Sequence, residues 1–240
     1  MDFRAAFSRV LGGRPAGFED GVAAHEAGDY ARALAIFGGL AEAGDAGAEY
    51  WLGAMHQLGQ GVAQDHAAAL AHYRRAAEAG HLHAQFSMGL AHMLARGVAR
   101  DHVEATRWYR MAAEGGLVDA RYAMGVAHRD GLGAERDADE AVRWFALAAE
   151  QGDAASQYEM GIHCLFGDGI SRDPARAVHW LALAAAQGHA GAQTRLGLCL
   201  RDGVGVAPDE ADARRMLELA AAQGDGLARH ALEKTASGAA

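Results

Sequence analysis

Gly53, Gly89, Gly125, Gly161 and Gly197 stand 36 residues apart, and this spacing restricts the possible folds more than any other feature of the chain. A fixed period of this length marks stacked supersecondary units, each too small to bury its own apolar face. The register carries no insertion. Asp65, Asp101, Asp137, Asp173 and Asp209 keep it, as do Gly80, Gly116, Gly152, Gly188 and Gly224. Between them lie the pairs Ala76-Ala77, Ala112-Ala113, Ala148-Ala149, Ala184-Ala185 and Ala220-Ala221.

Each period reads as a helical hairpin. The segment from Ala48 is apolar at helical spacing and ends at a Gly-x-Gly, where left-handed backbone is accessible. The Asp that follows sits where an N-cap belongs, and Glu104 and Glu140, three residues after theirs, suit capping boxes. Pro174 fits the first helical position after Asp173. The stretch "GVAHRDGLG" at 125–133 is therefore a helix joint. A phosphate-cradling loop would need a strand before it, and none is predicted there.

Glycine in mid-helix costs about 1 kcal/mol against alanine, so close approach of the paired helix is expected at Gly53 and its equivalents. The Ala pairs are read as the other side of that contact. Trp108, Trp144 and Trp180, with Tyr109 and Phe145 beside them, are read as core between hairpins. Charged pairs on the second helices, among them Glu104 with Arg107 and Glu140 with Arg143, are expected on a solvated outer face.

Charge and cysteine content narrow the function. A formal charge of −9 disfavours a nucleic-acid partner, which needs clustered basic surface, and suits a basic or neutral one. The opening "MDFRAAFSRVLGG" has helical apolar spacing interrupted by Arg4 and Arg9, so it is expected to be a capping helix, with no membrane span. Cys164 and Cys199 make no disulfide framework, which points to a reducing cytoplasm.

The segment "AQFSMGLAHMLARGVARDHVEATRWYRMAAEGG" and its companions resemble Sel-one-like repeats, tetratricopeptide-like helical hairpins. The resemblance implies an all-α fold, a right-handed alpha-alpha superhelix or solenoid. Its divisions are an N-terminal capping helix over 1–16, a degenerate leading repeat over 17–47, five repeats over 48–227, and a capping helix with tail over 228–240. Glu233 replaces the repeat glycine in that last helix. The family usually has Tyr three residues after the mid-helix glycine. Here that position reads His56, His92, His128, Cys164 and Leu200. A metal site there is weighed against hydrogen-bonded, half-buried imidazoles; stacked repeats stand about 10 Å apart, too far to share a zinc with ligands at about 2.0–2.3 Å. No cofactor is expected. Secreted relatives associated with β-lactams carry a cysteine pair in each repeat, and this chain does not.

The resemblance implies a non-enzymatic, monomeric interaction scaffold that holds a peptide or protein segment in its concave groove. The competing class is a protein that binds a small ligand, a metal or a cell-wall fragment of β-lactam type. First helices line the inner wall of such folds, which selects Tyr50, Ala54, Gln57 and Leu58, then Phe86, Leu90, Met93 and Leu94. The same register gives Tyr122, Val126, Arg129 and Asp130; Tyr158, Ile162, Leu165 and Phe166; and Thr194, Leu198, Arg201 and Asp202. Arg129 and Arg201 are expected to be exposed. The competing arrangement is that the aromatics of this stripe pack on neighbouring helices. Far-UV circular dichroism is expected to show helix far above the globular average of about one third; appreciable strand would contradict the reading.

Overall fold

A computed structural model describes residues 17–237, which form thirteen α-helices and no strand. The capping helix expected over 1–16 lies outside the described residues. The chain divides after Met111 into two compact units, a division the uninterrupted register does not announce. The first contains α1 (Phe18–Glu26), α2 (Tyr30–Glu42), α3 (Ala46–Leu58), α4 (His66–Glu78) and α5 (Leu82–Leu94). The division falls within α6 (His102–Glu114). The second contains α7 (Val118–Asp130), α8 (Ala138–Ala149), α9 (Ala154–Phe166), α10 (Pro174–Ala186), α11 (Ala190–Asp202), α12 (Glu210–Ala222) and α13 (Gly226–Ser237). Within each unit, consecutive helices pack in antiparallel hairpins, as short connections require. Among the described residues no helix is long and apolar enough to cross a membrane.

The predicted N-caps form in every repeat. The Asp65 carboxylate accepts from the amides of Ala67 and Ala68 at 2.9 and 3.0 Å, and Asp101, Asp137, Asp173 and Asp209 accept from the third amide beyond them. The capping boxes do not close as expected. Glu104 takes Arg107 at 3.1 Å and Glu140 takes Arg143, so neither carboxylate is shown reaching back to the cap. The cap amides donate elsewhere: Asp65 to the His56 carbonyl, Asp101 to His92, Asp137 to His128, Asp173 to Cys164 and Asp209 to Leu200, at 2.8–3.1 Å. One aspartate thus starts the second helix with its side chain and ties down the end of the first with its backbone.

The mid-helix glycines are seats for the second helix, as the register predicts. A Cβ on Gly53 would lie 2.6 Å from the Tyr73 ring, on Gly125 2.5 Å from Phe145, on Gly161 2.7 Å from Leu181 and on Gly197 2.9 Å from Leu217. Gly89 meets Tyr109 in the same way. The leading hairpin repeats the device with Gly21 and Phe37, at 2.7 Å. At Gly89, Gly125 and Gly161 the group seated is the residue after the tryptophan, and the backbone approaching the glycine at Gly89, Gly161 and Gly197 is that of Ala105, Ala177 and Ala213. The Ala pairs serve a different contact: Ala76 and Ala77 are buried with Ala84 and Met88 of the following hairpin. Trp108 is buried, whereas Trp144 and Trp180 are only half-buried, a correction to their reading as core.

The two glycines of the turn have separate duties. The first closes the helix in the left-handed region, with φ 70° at Gly59, 71° at Gly131, 77° at Gly167 and 69° at Gly203. The second lies against the first turn of the preceding hairpin's second helix, Gly97 on His66, Gly169 on Ala138 and Gly205 on Pro174. At the first position α5 has Ala95, the one non-glycine residue with positive φ (57°) among the described residues. A Cβ there costs about 1–2 kcal/mol, while glycine adds about 0.4–1 kcal/mol of unfolded-state entropy. Ala95→Gly is therefore expected to stabilise the protein by about 0.5–1 kcal/mol in denaturant unfolding, and a lower midpoint would contradict this. Gly125→Ala is expected to lose about 1–3 kcal/mol through overpacking against Phe145.

Candidate partner-binding face

In the first unit the selected stripe divides into a packed part and an open part. Tyr50 is only 6% exposed. Its ring stacks on His81, centroids 4.8 Å apart at 24°, and leans on Tyr73 at 5.6 Å. Burial pushes its phenol up to about 12, against a hydrogen bond with Ser87. Phe86 packs on Tyr109 at 5.3 Å. Gln57 is half-buried, and its carbonyl accepts from the Gln64 side chain at 2.8 Å. The Met93 sulfur lies 3.0 Å from Nδ1 of His102. Open to solvent are Leu58 (57%) and Leu94 (45%), the last residues of α3 and α5.

The second unit repeats the division with charges added. Tyr122 packs on Phe145 at 5.8 Å, and Tyr158 stacks on His189 at 4.7 Å and 24°. Thr194 takes the aromatic's place in α11 and is buried, its hydroxyl without a hydrogen-bond partner among the described residues. Phe166 is 61% exposed. Arg129 is not a free surface charge. Its Nε and Nη2 close a fork on Asp130 at 2.8 and 2.9 Å, and Nη1 reaches Glu159 on α9 at 2.5 Å. The hydrogen bonds to Asp130 raise the Arg129 pKa above the usual arginine value, and the same contact holds Asp130 below the usual carboxylate range. Arg201 closes the same fork on Asp202 at 2.6 and 3.0 Å. The expectation of two exposed arginines is thereby corrected to two paired, half-buried ones.

The residues weighed as metal ligands work through their carbonyls, which receive the cap amides. Their side chains go different ways. The His56 ring stacks on His72 at 5.3 Å, His128 Nδ1 lies 3.2 Å from the Glu135 carbonyl, and burial pushes the Cys164 thiol up. Among the described residues no three of His, Cys, Asp and Glu are placed to hold a metal ion.

Two features escaped the reading of the sequence. Glu49, buried at the start of α3, receives His72 Nδ1 and Arg75 Nε, each at 2.6 Å. Burial raises its pKa, but Arg75 and His72 outweigh that and hold it low. In later repeats the position carries Gln85, Arg121, Gln157 and Gln193, each donating to the carbonyl eight residues back. Glutamate alone cannot donate, and that was the available signal. The second feature is a row of exposed leucines on the second helices, Leu147, Leu183 and Leu219, legible as one register position.

A family model described as the Sel1 repeat matches residues 46–81, 82–117, 118–153, 154–189 and 190–225. The chain is similar to a protective antigen of uropathogenic Escherichia coli that displays an SLR fold, at 35% identity and TM-score 0.79 over 82% of this chain. It spans only 42% of that antigen. It is also similar to a Sel1 repeat protein from Oxalobacter formigenes, at 29% identity and TM-score 0.82, covering 90% of this chain and 86% of the other. An immunity protein from Pseudomonas aeruginosa shares the fold at 20% identity and TM-score 0.51, over 89% of this chain and 84% of the other. Among curated proteins none matches.

Arg129→Ala leaves the largely buried Glu159 without its partner and opens the exposed pair with Asp130, and is expected to lower stability by about 1–2 kcal/mol. Arg107→Ala removes an exposed pair and is expected to change it by less than about 0.5 kcal/mol. Equal melting curves for the two variants would contradict the contrast.

Proposed function

We propose that this chain, which belongs to the Sel1 repeat family, is a scaffold that holds a peptide or protein segment against the first-helix face of its repeats. Proteins of this family are generally non-enzymatic interaction scaffolds. The observation that carries the reading is the last position of each first helix. There the backbone is the same in every repeat, while the side chains are Leu58, Leu94, Asp130, Phe166 and Asp202.

Behind this rim the selected aromatics serve the stack. Tyr50, Phe86, Tyr122 and Tyr158 rest on Tyr73, Tyr109, Phe145 and the His189 ring, so they hold the helices in register. Selectivity then belongs, in the first unit, to the exposed Leu58 and Leu94 with Gln57 and Met93 beside them, and in the second to Phe166, Asp130 and Asp202 with Arg129 and Arg201 beside them. Phe166 is the kind of exposed aromatic that interfaces favour, and Leu58 and Leu94 offer apolar area in the first unit. The formal charge of −9 suits a segment carrying basic as well as apolar side chains, while Asp130 and Asp202 are already paired with Arg129 and Arg201.

Photo-crosslinking residues placed at 58, 94 and 166, and separately at 147, 183 and 219, test the assignment in native lysate. Partner adducts from the first set are expected, and Leu94→Asp with Phe166→Asp should weaken capture at least about tenfold without lowering the melting temperature. Adducts from the second set alone would move binding to the second helices.

A further inference from the structure

The first helices of the repeats do not share one N-cap. Asp45, Asp153 and Asp225 accept from Ala48, Ser156 and Ala228 at 2.6, 2.7 and 2.9 Å. In the same register His81 and His189 stand as caps, their Nδ1 atoms accepting from the amides of Ala84 at 3.2 Å and Ala192 at 3.1 Å. Both rings lie on a tyrosine of the preceding hairpin's first helix, Tyr50 and Tyr158, at almost the same distance and the same 24°. Gly191 keeps the second stack open: a Cβ there would come within 3.3 Å of Tyr158 and 3.4 Å of His189.

An imidazole accepts at Nδ1 only while that nitrogen is unprotonated. Protonation turns it into a donor aimed at an amide donor, and adds a positive charge at the positive end of a helix. An aspartate at the same place does not undergo this reversal, because protonating one carboxylate oxygen leaves the other able to accept. We propose that His81 and His189 are proton-sensitive caps, which release the first turns of α5 and α11 and loosen the tyrosine stacks as the medium becomes acid. Resting on the first-helix reading given above, the consequence is weaker partner capture in acid, since both tyrosines support that face.

The sign follows at His189 from burial set against the groups that face its ring. Around His189 these are Tyr158, Glu159 and Asp153; beside His81 are Tyr50 and His83. Burial pushes His189 below its ordinary value of 6.5, outweighing the upward pull of Glu159 and Asp153. A folded-state value below the unfolded one means the unfolded chain binds the proton more readily. The cap's stabilisation is therefore complete above about 6.5 and is lost as the pH falls through the window beneath it.

Amide hydrogen exchange on the whole chain, corrected for the pH dependence of intrinsic exchange, tests this without any partner. Between about pH 7.5 and pH 5, protection at Ala84 and Ala192 is expected to fall about fivefold, the scale of a lost cap. Ser156 and Ala228, capped by aspartate, should hold constant across the same window. In His81→Asp with His189→Asp the pH dependence should disappear. Constant protection at the histidine caps, an equal loss at all four positions, or persistence in the double variant would overturn the proposal. Partner capture measured at both pH values separates the two readings: caps that open while capture holds would remove the regulatory role and leave the first-helix face to be judged by crosslinking.

Discussion

The contact on which the rest depends is the seat that a glycine in the middle of each first helix offers to a ring or leucine of the second. Six hairpins use it, from Gly21 under Phe37 to Gly197 under Leu217. Alanine would be about 1 kcal/mol better in an isolated helix, so the position is set by packing and not by helix propensity. Removing the Cβ lets the two backbones approach closely enough for Tyr73, Tyr109 and Phe145 to become the buried centre of their hairpins. Once that distance is fixed, the alanine pairs on the other side of the second helix meet the following hairpin, and a repeat becomes a stackable unit.

A second economy lies in the turn. A helix end leaves carbonyls without partners and a helix start leaves amides without them. The aspartate between the two helices serves both ends, through its carboxylate and its backbone amide. Because the receiving group at positions 56, 92, 128, 164 and 200 is a carbonyl, the side chain there is free to differ. Histidine, cysteine and leucine all occur with the same hydrogen bond behind them.

The same separation of duties governs the candidate binding face. Side chains that hold the stack, such as Tyr50 and Thr194, are buried, while those at the helix ends vary and face solvent. Charge on this face is arranged internally. Two Arg-Asp neighbours close on themselves, and Arg129 also ties α7 to α9 through Glu159, so their contribution is rigidity as much as charge. Glu49 shows the reverse case, where one acidic residue in a position of donors draws His72 and Arg75 inward to satisfy it.

The sequence by itself determined the period, the hairpin, the glycine seats, the aspartate caps and the helix-closing turns, because each depends on residues close in sequence whose backbone needs are specific. It also marked the first-helix stripe, since a helical period assigns faces. Tertiary structure alone decided which members of that stripe are available. Tyr50 and Leu58 share a stripe, yet one is stacked between His81 and Tyr73 and the other stands open. Likewise nothing local distinguishes Trp108 from the half-buried Trp144, or reveals that Arg129 finds Glu159 thirty residues away. Exposure, and pairing across repeats, are properties of neighbours brought from elsewhere in the chain, and the period that specifies the fold is blind to them.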